Sequence, residues 1–367
     1  MSLSRPHQSC ATLVVGLVAF FCFNALLGQP PVPLSNVTVI TTGLLNPRGL
    51  KFGPGGDLYV AEGGTGGPLS SIGSCAQVVA PVGPYTGGFT SRISRINVGT
   101  GSRTTVIDGL PSSQTSPALG GLVSGVADVA FLGNTLYALL AGAGCSHGLA
   151  GTTNGIIRVN PAGTWTLIAD LSAFQKTHPV ANPEPGDFEP DGTWYSMIAA
   201  REKLYAVEPN HGELVEVSPT TGDVRRVVDV SASQGHIVPT ALALHGNFYI
   251  GNLNTFPIEV GSSKILKINP AGQVHIDATG ATTVLGLVFD SRDRMYVLES
   301  SAAPGFPAPG NGRILRVNPN GSVEIVASGL SIPTGMTMGP DGNLYVSNIG
   351  FGAPPGAGQV VRVSVAQ

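Results

Sequence analysis

Charge is scarce in this chain. Asp, Glu, Lys and Arg make up 11% of its 367 residues, against about a quarter in an ordinary globular protein. The formal net charge of −3 leaves no basic surplus, which argues against nucleic acid as a partner. No Gly-rich phosphate loop, zinc-type spacing or GxSxG elbow is present, so phosphoryl transfer and serine hydrolysis of the familiar kinds lack support. Helical periodicity is missing over any long stretch; only "LSAFQK" (171–176) reads as a short helical turn. Cysteine is sparse at four residues.

The abundant residues are Gly (51) and Pro (29), a turn-rich composition short of the level that signals disorder. At the N-terminus Arg5 and His7 precede the apolar run "ATLVVGLVAFFCFNALL" (11–27), and "GQPPVP" follows. That order is the charged, apolar and small-residue layout of an export signal. The expected division is a leader over 1–28, a linker over 29–36 and one domain over 37–367. An uncleaved anchor is the alternative, and would be the route to any membrane. Cys10 and Cys22 fall in the leader, which leaves Cys75 and Cys145 in the exported part. An even pair in an oxidising compartment suggests a disulfide, with two free buried thiols as the other reading.

A tight turn followed by apolar-Tyr-apolar recurs six times: "GGDLYV" (55–60), "GNTLYA" (133–138), "REKLYA" (201–206), "HGNFYI" (245–250), "RDRMYV" (292–297) and "DGNLYV" (341–346). Each copy follows a short apolar segment and precedes a third, such as "ISRI" or "ILRV"; five lead through a turn into a fourth. Short segments rich in β-branched and aromatic residues, bounded by Gly, Asn, Asp and Pro, are strands. Four strands per repeat predict an all-β, six-bladed β-propeller, with an open β-solenoid as the rival. The last repeat stops at its third strand, whereas "VTVITTGL" (37–44) resembles a fourth strand such as "VEIVASGL" (323–330). The N-terminal strand is therefore expected to complete blade 6 and close the ring, removing an exposed edge.

Turns between strands one and two, and three and four, are short and fall on one face. The long connections, 63–90, 109–124, 141–154 and 171–193, fall on the other, where function on a rigid scaffold usually sits. Cys75 and Cys145 lie on that face in adjacent blades, which favours the bridge.

Three constellations follow. The position three residues after each repeat Tyr holds Glu62, Leu140, Glu208, Asn252, Glu299 and Asn348. Five oxygen-bearing side chains around a channel suit Ca²⁺ or another divalent cation; the competing reading is that each caps its own loop. The acidic loop "NPEPGDFEPDGTWYSM" (182–197) carries Glu184, Asp187, Glu189 and Asp191, placed to reach the channel mouth or to form a solvated turn. His147 and His211 are acid–base candidates, or loop histidines. With Asp187, Glu189 and Asp191 they make the expected ligand-binding set. Arg95, Arg158, Lys267, Arg316 and Arg362 share one place in strand three, with Glu216 in blade 3. Dispersed around an acidic chain, they read as salt-bridged strand positions rather than a polyanion surface.

The blade "GNLYVSN…GRILRVNPNG" resembles the NHL-type repeat and the six-bladed propellers related to TolB. The segments "CAQVVAPVGPYTGGFTSRISRI" (75–96), "AGAGCSHG" (141–148) and "NGIIRVNPAG" (154–163) resemble the ScyD/ScyE family of exported bacterial propellers, with "PVGPYTGG" the most specific part. That resemblance implies a secreted or periplasmic propeller and no established reaction. The expected role is binding of a small molecule, glycan or envelope partner on the long-loop face. The alternative is a metal-dependent enzyme similar in scheme to gluconolactonase and streptogramin-lyase propellers, with a cation at the channel mouth.

Overall fold

The computed structural model describes residues 34–365 and the backbone of Phe21–Cys22. The expected leader lies almost wholly outside the described residues. Six antiparallel sheets are arranged as the blades of a propeller. Their innermost strands are Pro47–Phe52, Val126–Leu132, Ser196–Ala200, Pro239–His245, Val284–Phe289 and Gly335–Met338. The ring closes as expected: Val37–Leu44 pairs antiparallel with Gly358–Val363, from Val37 opposite Val363 to Leu44 opposite Gly358. Innermost strands of blades 6 and 1 are further joined by Thr334 Oγ1, which donates to the Pro47 carbonyl at 2.6 Å.

There is no central core. Apolar side chains collect into six clusters, each shared by two neighbouring blades. Second strands such as Leu58–Glu62 and Leu344–Asn348 are buried almost throughout, which explains why they read as apolar runs rather than alternating strands. The repeat Tyr is an interblade wedge. Tyr59 meets Phe131 of blade 2, Tyr249 meets Phe289 of blade 5, and Tyr345 meets Phe52 across the closure, with ring centroids 4.9 Å apart in each case. Each charged position of strand three stands opposite such a Tyr, as Arg95 opposite Tyr59 and Arg362 opposite Tyr345. Ion pairs take up several of them, including Arg316–Glu324 at 2.6 Å and Arg362–Asp341 at 2.8 Å.

The short helical turn is present as Leu171–Thr177, capped by Asp170. Two expected loops are partly strand. Blade 1 extends its outer pair to Thr86–Ile96 and Arg103–Gln114, and Val123–Ser124 adds a short fifth strand. Gly87 makes the extension possible, because a Cβ there would stand 2.5 Å from the His147 carbonyl oxygen. Cys75 and Cys145 are joined by a disulfide that ties the long loops of blades 1 and 2 together.

Candidate ligand site at the loop-face mouth of the channel

Innermost strands begin at the loop face, so their first residues surround the channel mouth. In blades 1, 4 and 6 the entering residue precedes a proline and takes a left-handed φ: Asn46 at 52°, Val238 at 55° and Ile332 at 45°. That conformation is costly for β-branched side chains. It is held by backbone bonds from the segment after strand two: Gly63 to Asn46, Leu253 to Val238 and Gly350 to Ile332. The bend delivers Arg48, Thr240 and Thr334 to equivalent places, with Tyr195 and Leu285 as their counterparts in blades 3 and 5.

Above this ring lies a cavity of about 560 Å³. Its walls are mostly apolar, including Val82, Leu122, Leu253 and Leu285, with Phe256, Phe306 and Phe351 at the rim. Four polar features face it. Tyr85 donates to Glu189 Oε1 at 2.6 Å. Glu189 Oε2 is buried without a hydrogen-bond partner, 4.0 Å from His147 Nε2, and burial pushes this carboxyl up to about 8, which favours its neutral form. His236 Nε2 donates to Asp187 Oδ2 at 2.9 Å. Arg48 Nη2 donates to the Val123 carbonyl and its guanidinium sits 5.7 Å from the Phe351 ring centre. Burial lowers the Arg48 pKa, and among the described residues no carboxylate stands within ion-pair distance of it. Finally, Ser300 is fully buried, lines the cavity, and its Oγ has no hydrogen-bond partner.

The expected ligand set divides. Asp187 and Glu189 line the cavity. Asp191 does not; it accepts from Ser146 N and Oγ, both at 2.7 Å, and pairs with Lys176 at 2.5 Å, fastening the acidic loop from behind. Burial opposes ionisation of Asp191, but these partners outweigh it and hold its carboxyl below the usual range. His147 is wholly buried behind Tyr85, bonded to Ser113 Oγ at 2.8 Å and the Gly192 carbonyl at 3.0 Å. Burial lowers it to about 4, so it is a neutral buttress. His211 sits on Glu208 at 3.1 Å; burial opposes its proton, and the carboxylate more than offsets that.

The expected oxygen ring does not converge on the cavity, and its five side chains are engaged as loop caps, the other reading of those positions. Glu62 accepts from Leu45 N at 2.6 Å and pairs with Arg92 at 2.8 Å. Glu208 accepts from Thr193 N at 2.8 Å and His211 N at 2.5 Å. Asn252 bridges the Ile237 carbonyl and Lys264 N. Glu299 accepts from Thr282 N at 2.6 Å and pairs with Arg313. Asn348 accepts from Ser331 N at 2.9 Å. Every one of these five side chains is spent on holding a neighbouring loop, and none of the five lines the cavity. Two of the three carboxylates already carry an arginine, so the donor set does not fit a divalent cation. Among the described residues, no cluster of three or more His, Cys, Asp or Glu is arranged to hold a metal.

Sequence reading missed Arg48, Tyr85, Tyr195 and His236. Tyr85 lay in the most distinctive segment, "PVGPYTGG", and Tyr195 at the end of the acidic segment 182–197; Arg48 and His236 stand in short blade entrances that carry no local signal. Asp128 was missed as well. It lines the channel below, in a second cavity of about 430 Å³, accepts from Met197 N at 2.8 Å, and is pushed up to about 7 by burial. Gly49 faces it: a Cβ there would lie 1.9 Å from Asp128 Oδ1.

Fold and site together define a six-bladed propeller with a cavity of about 560 Å³ at its loop-face mouth. No protein-family profile and no curated protein matches the chain. Among solved structures it is similar to a putative oxidoreductase (glucose dehydrogenase) from Thermus thermophilus, at 17% identity over 89% of this chain and 98% of that one, TM-score 0.54. It is similar to a calcium-binding protein, regucalcin, from Agrobacterium tumefaciens, at 14% identity over 89% and 92%, TM-score 0.53. A gluconolactonase from Xanthomonas campestris shares 10% identity over 92% and 99%, TM-score 0.50. At these identities the likeness is one of fold.

Proposed function

We propose that the protein hydrolyses a small lactone or ester held in the loop-face cavity, with His236 as general base and Arg48 as the electrostatic partner of the carbonyl oxygen. The observation that carries this reading is the His236–Asp187 pair, 2.9 Å apart, lining the same cavity as an arginine with no acidic partner. Asp187 orients the imidazole through Nε2 and leaves Nδ1 to take a proton from water. The water oxygen bonds to the carbonyl carbon, the ring or ester C–O bond breaks, and the imidazolium returns its proton to the leaving oxygen. Charge developing on the carbonyl oxygen is countered by Arg48. The likeness to a gluconolactonase supports a lactone as substrate class.

Binding without turnover is the second reading, favoured by the apolar walls and aromatic rim. The ScyD/ScyE resemblance accommodates both, and its most specific segment supplies Tyr85. An oxidising compartment, periplasmic or extracellular, is part of the proposal; the disulfide supports it. No helix among the described residues is long and apolar enough to cross a membrane.

The test is a pH-stat assay on a panel of δ-lactones and esters. Turnover is expected, and His236→Asn should lower it by roughly 10²-fold or more. Absence of turnover across the panel, or an equally active His236→Asn protein, overturns the hydrolytic reading.

A further inference from the structure

We infer that the substrate is aromatic: an aryl lactone or aryl ester whose ring system lies against Phe306 while Arg48 takes the carbonyl oxygen, and after hydrolysis the carboxylate. The inference rests on the hydrolytic reading for the reaction but on separate observations for the ligand.

Phe256, Phe306 and Phe351 come from the strand-two to strand-three loops of blades 4, 5 and 6. These loops are far apart in sequence, yet they bring the three rings into one row. Phe256 and Phe306 stack with centroids 5.3 Å apart and planes 24° apart; Phe306 meets Phe351 edge-on at 6.4 Å. Phe256 and Phe306 remain 51% and 48% exposed. Large apolar rings left this open side by side are a standing cost, and such patches mark binding surfaces. A flat apolar ligand that extends the stack removes that cost, with the offset or edge-on geometry aromatic pairs prefer.

The row ends at Arg48, 5.7 Å from the Phe351 ring centre. An arginine without a carboxylate partner at the end of an aromatic row matches a molecule with a flat apolar body and one oxygen-bearing, anionic end. A polyol fits poorly. The mostly apolar wall would strip water from its hydroxyls against Leu253, Leu285 and the phenylalanines, a cost that polar groups such as Arg48, Asp187 and His236 offset only in part. The site therefore differs in ligand class from the sugar-linked enzymes that share its fold.

The experiment is isothermal titration calorimetry of the full chain with 2-naphthoate, 2-naphthamide and gluconate. We expect saturable binding of 2-naphthoate, weaker binding of the uncharged amide, and none of gluconate at the same concentrations. Phe306→Ser, at an exposed position that leaves folding intact, should weaken 2-naphthoate about tenfold. Arg48→Gln should weaken the carboxylate by roughly tenfold or more and the amide, which offers Arg48 only a neutral carbonyl oxygen, by less. Should Arg48→Gln fail to fold, seen as loss of its melting transition, Phe306→Ser and the carboxylate–amide pair carry the test. Gluconate binding as tightly as 2-naphthoate, or indifference of 2-naphthoate to Phe306→Ser, overturns the inference. The two readings separate cleanly. Tight 2-naphthoate binding without turnover of 3,4-dihydrocoumarin sinks hydrolysis alone. His236-dependent turnover of δ-valerolactone that ignores Phe306→Ser sinks the aromatic substrate alone.

Discussion

Replacing Glu189 with Gln should make the protein less stable in acid and more stable in mild alkali. The Glu189 carboxyl is neutral in the fold because burial raises it from 4.5 to about 8. Folding therefore carries a proton that the unfolded chain gives up above 4.5. Stability is whole below that point, declines as pH rises towards 8, and levels off above it. A shift of that size amounts to about 5 kcal/mol at most. Gln carries no titrating proton and so escapes the loss. It keeps the bond from the Tyr85 hydroxyl through Oε1, but its amide nitrogen replaces an Oε2 that has no partner. The neutral acid's own O–H lacks an acceptor there too, so the amide adds one further unsatisfied donor, at about 1–3 kcal/mol. The variant should thus melt lower than the parent near pH 5 and higher near pH 8.5, by about 2–4 kcal/mol at the alkaline end. At about 2 cal/mol/K of unfolding entropy per residue, a domain of this size shifts by roughly 3–6 °C. Calorimetric melts of both proteins across this range are the assay. Asp128 titrates in the same window, to about 7, but it is common to both proteins and drops out of the difference. If the gap in melting temperature is the same at both pH values, the assignment of a neutral buried carboxyl to Glu189 is wrong.

Two further outcomes follow from the blade architecture. Glu299→Ala removes the partner of a nearly buried Arg313 and the acceptor of Thr282 N. It should lower stability by about 3–5 kcal/mol, while Ca²⁺ leaves the parent's melting temperature unmoved; a calcium-dependent rise that the variant loses would restore the cation reading. Cys75→Ser opens a bridge between residues 70 apart in sequence, at up to about 4 kcal/mol in the chain-entropy account. The region 63–90 should then become the first site of limited proteolysis, and unchanged cleavage would show that Gly87, Ser112 and their hydrogen bonds hold it alone.

Periodicity alone determined the architecture. A turn, an apolar-Tyr-apolar strand and a basic third strand recur because every blade solves the same packing problem: a Tyr wedged against the next blade and a charge facing it across the pair. The missing fourth strand at one end and the spare strand at the other were enough to place the closure, since a β-edge left open is costly wherever it occurs. The disulfide followed from two cysteines in long loops on one face. The site was not legible in this way. Glu62, Glu208 and Glu299 repeat, yet their repetition reflects a shared capping duty towards a neighbouring loop. Polar residues that face the cavity do not repeat: Arg48, Asp187 and His236 come from separate blade entrances, in positions where the other blades place something else. Local sequence records what each blade needs for itself. Only closing the ring brings unlike residues to a common axis, so the tertiary structure alone decided which side chains share a cavity.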